Sequence, residues 1–312
     1  MLKVAVVGLG GIAQKAYLPV FAEMENIEVH LYTRDAQKLK HLSEKYRFDH
    51  YHQSIHSMIE SGVNAAFVHS STASHPEVIR TFLAHHIPVY VDKPIADNLS
   101  EVEELTRLAE EQKTLLMTGF NRRYAPKYQE LKALTDANMI IMQKNRAAQP
   151  GEARTFIYDD FIHVIDTIRF LLDAKIEQLH VVPVWQEDLL ASITVQITAG
   201  DKVATAIMNR DSGVNEERLA VMTPNAKYEV ENVTEMHIYE GTTERFERFG
   251  DWETTLYKRG FVSIIQAFLT AVRNGEKAPI SKEDALETHR LAEEILRKIE
   301  NELYFFQEIN YS

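Results

Sequence analysis

No cysteine occurs in the 312 residues, which removes disulfides, thiolate catalysis and cysteine-ligated zinc or iron–sulfur sites from consideration. Long apolar runs are missing too. The N-terminal run VAVVGLGG breaks into glycine short of a signal h-region, and no stretch approaches the roughly 20 apolar residues that span a bilayer. Basic charge is in short supply: 34 Lys and Arg stand against 46 Asp and Glu, a net charge of −12. Such a balance disfavours a phosphate backbone as the main ligand. The H-E-x-x-H motif is absent as well. Although there are 13 histidines, the stretch HLSEKYRFDHYHQSIH has irregular spacing, so no metal site is expected. What remains is a cytoplasmic enzyme or binding protein without nucleic-acid or membrane partners.

With 45% hydrophobic and 26% charged residues, the chain has the composition of an ordinary globular protein. Its length suits two domains, each able to bury its own core. As far as about Phe120, short β-branched runs alternate with helical periodicity. Val4 to Val7 and Ala65 to Val68 are apolar throughout, as expected for strands of a parallel sheet buried on both faces. This predicts a doubly wound α/β (Rossmann) domain over residues 1–122. Past Tyr124 the texture changes to alternating runs such as ASITVQITA, KVATAIMNR and EMHIYEG. Those predict an α+β domain over 123–312 with a mostly antiparallel, one-faced sheet.

In VAVVGLGGIAQKAYLPV, a G-x-G-x-x-A arrangement lies between a predicted strand and a predicted helix, with Gly8, Gly10, Gly11, Ile12 and Ala13 forming the turn. Without Cβ atoms the turn lets backbone amides approach a pyrophosphate, and the helix N-terminus faces its negative charge. The next strand ends in Thr33, Arg34 and Asp35, where the adenosine ribose is read. A guanidinium there suits a 2′-phosphate, so NADP(H) is favoured, with NAD(H) as the alternative. A solvated turn residue is the competing reading of Arg34.

The run VDKPIADN follows the apolar IPVYV, which places Lys93 at the carboxyl edge of a strand, where open α/β sheets bind ligands. Pro94 restricts the residues before it and permits a cis peptide bond. Farther on, TFIYDDFIHVIDTIRFLL spaces Asp159, His163 and Asp166 for one face of a helix, and a carboxylate presented with an imidazole suits proton transfer. Spacing alone does not choose Asp159 over Asp160.

Together these motifs resemble the Gfo/Idh/MocA family, named for glucose–fructose oxidoreductase and inositol dehydrogenase, and the resemblance spans nearly the whole chain. It is carried by VGLGGIA, HSSTASH, DKP in place of the usual E-K-P, D-x-x-x-H in DDFIH, GFNRRYAP and ISKEDALETHRLAEEI. Among members it looks most like the MviM, or virulence-factor-like, branch. The resemblance implies that Lys93, Asp159 and His163 take the catalytic positions. It also implies that Ser70, Ser71 and His75 line the cofactor and that Asp92 approaches the nicotinamide ribose. Asp92 is a methylene shorter than the family's glutamate, and RTFIY stands where glycines often precede the catalytic aspartate.

The reaction expected is hydride transfer between NAD(P) and a secondary alcohol or ketone of a sugar or polyol. Lys93 and His163 are expected at the reacting hydroxyl, with Asp159 orienting His163 or binding a neighbouring hydroxyl. Asn121 and Arg123 are expected to line the substrate cleft. The outer sheet face is expected to support a homodimer or homotetramer. The alternative is a nucleotide-binding sensor or scaffold of the same fold without turnover.

Overall fold

The computed structural model describes residues 1–310, with side chains as far as residue 301. The chain divides into two compact units, Met1–Phe120 with Phe261–Glu287, and Asn121–Gly260 with Thr288–Ser312. No helix among the described residues is long and apolar enough to cross a membrane.

In the first unit, strands β1 (Leu2–Val7), β2 (Ile27–Tyr32), β3 (His50–Tyr51), β4 (Ala65–Val68), β5 (Val89–Val91) and β6 (Leu116–Thr118) form a parallel sheet in the order β3-β2-β1-β4-β5-β6. Strands β4, β5 and β6 are buried at every residue, as a sheet with helices on both faces requires. Several of the covering helices begin where short polar side chains cap them. Asp35 accepts from Lys38 N at 2.9 Å to start Ala36–Tyr46, and Asn98 accepts from Glu101 N at 3.0 Å to start Leu99–Glu111.

The segment 261–287 was expected in the second domain but belongs to the first unit. Burial of the apolar face of helix Phe261–Asn274 explains the assignment. Ile264, Ile265, Phe268 and Leu269 are buried, and the Phe268 ring lies 5.2 Å from Phe67 and 5.6 Å from Tyr90. Each such side chain contributes roughly 1.5–3 kcal/mol when fully buried, which outweighs continuity along the chain.

The second unit holds β7 (Met139–Ala147), β8 (Gln178–Gln186), β9 (Leu189–Ala199), β10 (Lys202–Ser212), β11 (Glu216–Met222), β12 (Lys227–Glu231), β13 (Glu235–Glu240) and β14 (Thr243–Glu247). Their order is β14-β13-β12-β11-β7-β10-β9-β8, antiparallel except between β7 and β10. Alternation buries Ile193, Val195 and Ile197 of β9 with Ala204, Ala206 and Met208 of β10 on one face. That core also takes in Val164, Ile165, Ile168 and Leu172 from helix Ile162–Leu172. The other face leaves Val182, Val184, Leu189, Val203 and Met139 exposed.

Buried ion pairs lock this unit's charged residues. Arg123 donates to both oxygens of Asp166 at 2.9 and 2.6 Å, and Thr288 Oγ1 adds a donor to Asp166 at 3.0 Å. Arg122 forks onto Glu217 at 2.7 and 2.6 Å, with Tyr128 donating at 3.0 Å. Burial alone would push the Glu217 carboxyl up, yet the facing guanidinium carries it down to about 2. Removing one partner strands a buried charge, at about 3–5 kcal/mol. Asp166→Ala is therefore expected to lower unfolding free energy by about that amount, whereas Glu177→Ala, at an exposed position of the same unit, changes it by about 0.5 kcal/mol or less. Urea titrations of both variants check the contrast.

Candidate active site

The carboxyl ends of β1, β2 and β4 wall a cavity of about 560 Å³ in the first unit, lined by Gly8, Gly10, Gly11, Ile12, Thr33, Arg34, Ser70 and Ser71 among others. Gly8 has φ +88°, and a Cβ there would sit 2.3 Å from Ser70 N, so the chain passes too close to the β4 loop for any side chain. A Cβ on Gly10 would meet nothing nearer than His69 O at 4.0 Å, and one on Gly11 nothing within 4 Å. Beyond the turn, residues Ala13–Tyr17 wind as a π-helical turn into helix Leu18–Glu23. Ala13 is buried. A helix start with open backbone in front of it accommodates a pyrophosphate, so the cradle fits a dinucleotide.

At the β2 end, Thr33 and Arg34 line the cavity together with Lys38. Asp35 caps its helix instead, through Lys38 N. Lys38 escaped the sequence reading, although its place one turn beyond Arg34 on a capped helix was a signal for a second cation. The carboxylate among the lining residues, Glu77, comes from helix His75–Ala84 rather than from the β2 end.

At the β4 end, His75 is a strut. Its Nδ1 lies 2.9 Å from Pro94 O and its Nε2 3.0 Å from Ser70 O, which places the ring between the serine loop and the segment that carries Lys93. His69 lines the cavity, and its ring lies tilted at 35° against Tyr17 with the centroids 3.8 Å apart. Burial draws its pKa down to about 3, so this imidazole is neutral. Nothing in the local pattern distinguished His69 from the apolar strand before it.

At the β5 end, Asp92 N donates to Val68 O at 2.9 Å, and Asp92 Oδ1 accepts from Lys93 N at 2.9 Å. The Lys93–Pro94 peptide is cis. Both Asp92 and Lys93 are half-buried. Burial pushes the Asp92 carboxyl up while the Lys93 charge opposes it. Neither residue lines the cavity described above.

In the second unit the helix bearing the D-x-x-x-H motif opens with Ala153–Thr155 and a π-helical turn, Phe156–Phe161, before Ile162–Leu172. Asp159 is exposed and His163 half-buried. Asp166, expected on their face, is instead buried against Arg123, because the wider winding of the π turn rotates it away from Asp159. Asp160 is held by Lys144 and by Arg146 Nε at 2.9 Å. Burial would push the Asp160 carboxyl up, but those cations bring it well below the usual carboxylate range. Burial, aided by the Arg122 charge, lowers the Lys144 ammonium to about 7. Lys144 lies in phase with buried Ile140 and Met142 on β7, an alternation that marked it as inward-facing.

Two residues expected to line a substrate cleft are otherwise engaged. Asn121 Nδ2 donates to Arg259 O at 2.8 Å, and Arg123 is paired with Asp166. The crossover is tight: Gly260 has φ +81°, and a Cβ on it would meet Asn121 O at 2.2 Å.

A dinucleotide cradle at the carboxyl edge of a six-stranded parallel sheet defines an NAD(P)-binding Rossmann oxidoreductase domain. Residues 2–120 match the oxidoreductase family with an NAD-binding Rossmann fold, Gfo/Idh/MocA, and residues 126–241 match the YceM-like C-terminal domain. The Salmonella typhimurium protein YceM is 34% identical over 95% of this chain and 97% of its own. A myo-inositol 2-dehydrogenase of Thermotoga maritima is 24% identical over 79% of this chain and 81% of its own. Among solved structures, a Gfo/Idh/MocA family oxidoreductase from Vibrio cholerae superposes with TM-score 0.93 at 34% identity, covering 97% of this chain and 100% of that one. A dehydrogenase (MviM) from Clostridium difficile gives 0.91 at 31%, covering 95% and 99%. The chain belongs to the Gfo/Idh/MocA oxidoreductase family, in its MviM-like branch.

Proposed function

We propose that this protein is an NADP(H)-dependent dehydrogenase acting on a secondary alcohol or ketone of a sugar, polyol or sugar derivative. The observation that carries the reading is a dinucleotide cradle in the same sheet that presents Lys93 at the carboxyl end of β5. Similarity to a myo-inositol 2-dehydrogenase supports the substrate class. When bound, the nicotinamide supplies the hydride chemistry.

The chain's own residues bind, orient and move protons. Backbone amides from Gly8 to Ala13 hold the pyrophosphate. Arg34 and Lys38 meet the 2′-phosphate, because the one acid at the β2 end, Asp35, is engaged as a helix cap. Ser70 and Ser71 line the bound cofactor, His75 holds their loop, and Asp92 approaches the nicotinamide ribose. Lys93 polarises the reacting oxygen and His163 accepts its proton. Asp159, rather than the doubly paired Asp160, orients His163. Asn121 and Arg123 position the second unit's backbone instead of touching substrate.

On a substrate found by a sugar and polyol screen with both cofactors, Lys93→Met is expected to lower turnover on the order of 10²-fold or more while cofactor affinity stays within a few fold. His163→Ala is expected to do the same. Unchanged rates for both variants would defeat the proton-transfer assignment. Tight nucleotide binding with no turnover across the screen would favour a sensor.

NADP(H) is expected to bind more tightly than NAD(H) in fluorescence titrations, and Arg34→Ala to erase the difference while sparing NAD(H). Equal affinities in the wild type would contradict the 2′-phosphate assignment. The exposed apolar outer face of the second unit's sheet supports self-association as a dimer or tetramer. Light scattering is expected to return a multiple of 35.8 kDa, and a monomer mass at working concentration would argue against it.

A further inference from the structure

The edge of the parallel sheet gathers a cluster unrelated to the dinucleotide cradle. Parallel pairing of β2 with β3 sets His30 opposite His50, and Glu28 lies two positions before His30 on the same strand face. His30 is buried, whereas the side chain of His50 is 49% exposed and that of Glu28 18%. The imidazoles of His30 and His50 stack at 4.7 Å. Nε2 of His30 lies 2.8 Å from Glu28 Oε1, and Nε2 of His50 lies 3.7 Å from Glu28 Oε2.

The hydrogen-bond network assigns the protons around His30. Ser61 Oγ donates to Met58 O at 2.6 Å, and Ser57 Oγ donates to Ser54 O at 2.9 Å. Each hydroxyl has one hydrogen, so toward the imidazoles both act as acceptors. Ser61 Oγ then accepts from His30 Nδ1 at 3.1 Å, and Ser57 Oγ from His52 Nδ1 at 3.4 Å. His52, protonated on Nδ1, offers a bare Nε2 to His30 Nδ1 at 2.9 Å. His30 therefore carries a hydrogen on Nδ1, and its Nε2 faces a carboxylate oxygen either as the N–H of an imidazolium or as a lone pair. Two acceptors 2.8 Å apart repel unless a cation lies between them.

We propose that Glu28 and the Nε2 atoms of His30 and His50 bind a divalent transition-metal ion of the zinc class, with water completing the coordination. One observation favours a metal over a proton in this position, and two others fit a metal. A proton needs one donor and one acceptor, but here a second imidazole also turns its Nε2 to the same carboxylate. The His30–His52–Ser57 chain orients His30 through its other nitrogen, as hydrogen-bond partners orient metal-binding histidines. Imidazole with carboxylate suits zinc, nickel or copper rather than magnesium or calcium. The ligand atoms lie within 4.8 Å of one another. Zinc at about 2.0–2.2 Å from each needs them at most about 4 Å apart, and the exposed His50 side chain can move that far. Lys3 Nζ, 3.7 Å from Glu28 Oε1, opposes the ion, but it donates to Ser61 O at 2.9 Å. The irregular spacing of these histidines along the chain hid a site that the strand register assembles.

The test is a zinc titration of the full chain against a chromophoric chelator, with Co2+ absorption as a second readout. Wild type is expected to bind one stoichiometric equivalent that His50→Ala and Glu28→Gln weaken at least tenfold, and His52→Gln on the order of 10- to 100-fold through loss of the contact that orients His30. Zinc is expected to raise the melting temperature of wild type and not of His50→Ala. Because His50 is exposed, its loss leaves the metal-free fold intact, and the metal-free melting temperatures of the two proteins check this. Equal zinc affinity in wild type and His50→Ala, or no stoichiometric binding at all, would overturn the proposal and leave a proton between His30 and Glu28.

Discussion

A parallel sheet covered by helices on both faces leaves only the ends of its strands to meet a ligand, and the first unit depends on that constraint. Strands β4 and β5 are buried at every residue, so their chemistry begins only where they end, at His69 to Ser71 and at Asp92 to Lys93. The two ends are not independent. Asp92 N donates to Val68 O, and the His75 ring sits between Ser70 O and Pro94 O, so the serine loop and the lysine segment pack against one another. Gly8 belongs to the same constraint, since its close approach to Ser70 N sets the depth of the cradle.

The second unit solves a different problem. Its helical segment leaves Asp159 exposed and His163 half-buried while its other side enters an apolar core, and buried charge fixes the rotation between them. Asp166 faces Arg123 and Asp160 faces Lys144 and Arg146. Turning the helix would separate buried partners at several kcal/mol each. Apolar packing alone tolerates small rotations far better. The unusual content of this interior, guanidinium and ammonium groups beneath a sheet, is thus a positioning device.

Much of this was legible in the chain. Apolar runs against alternating runs separated the parallel sheet from the mostly antiparallel one, and the glycine turn announced the cradle because strand–turn–helix context is local. Three things were not. Helix Phe261–Asn274 returns to the first unit because Phe268 finds Phe67 and Tyr90, a contact that no local pattern carries. Asp166 leaves the face of Asp159 because a π turn precedes it, and periodicity arguments assume uniform winding. Arg123 looked like a ligand-facing cation, but whether a guanidinium meets solvent or a buried carboxylate is decided by tertiary partners.

The histidine cluster on the sheet edge shows the same limit from the other side. Metal motifs are recognised by spacing along one helix or loop, since that spacing fixes ligand geometry when the backbone is continuous. Across a parallel strand pair the relevant interval is the register, here His30 opposite His50, and the intervening crossover can have any length. Such a site leaves no signature in the chain beyond histidines on strands. An edge strand of two residues has few ladder hydrogen bonds to hold it, so a ligand shared with β2 would have its largest structural effect there.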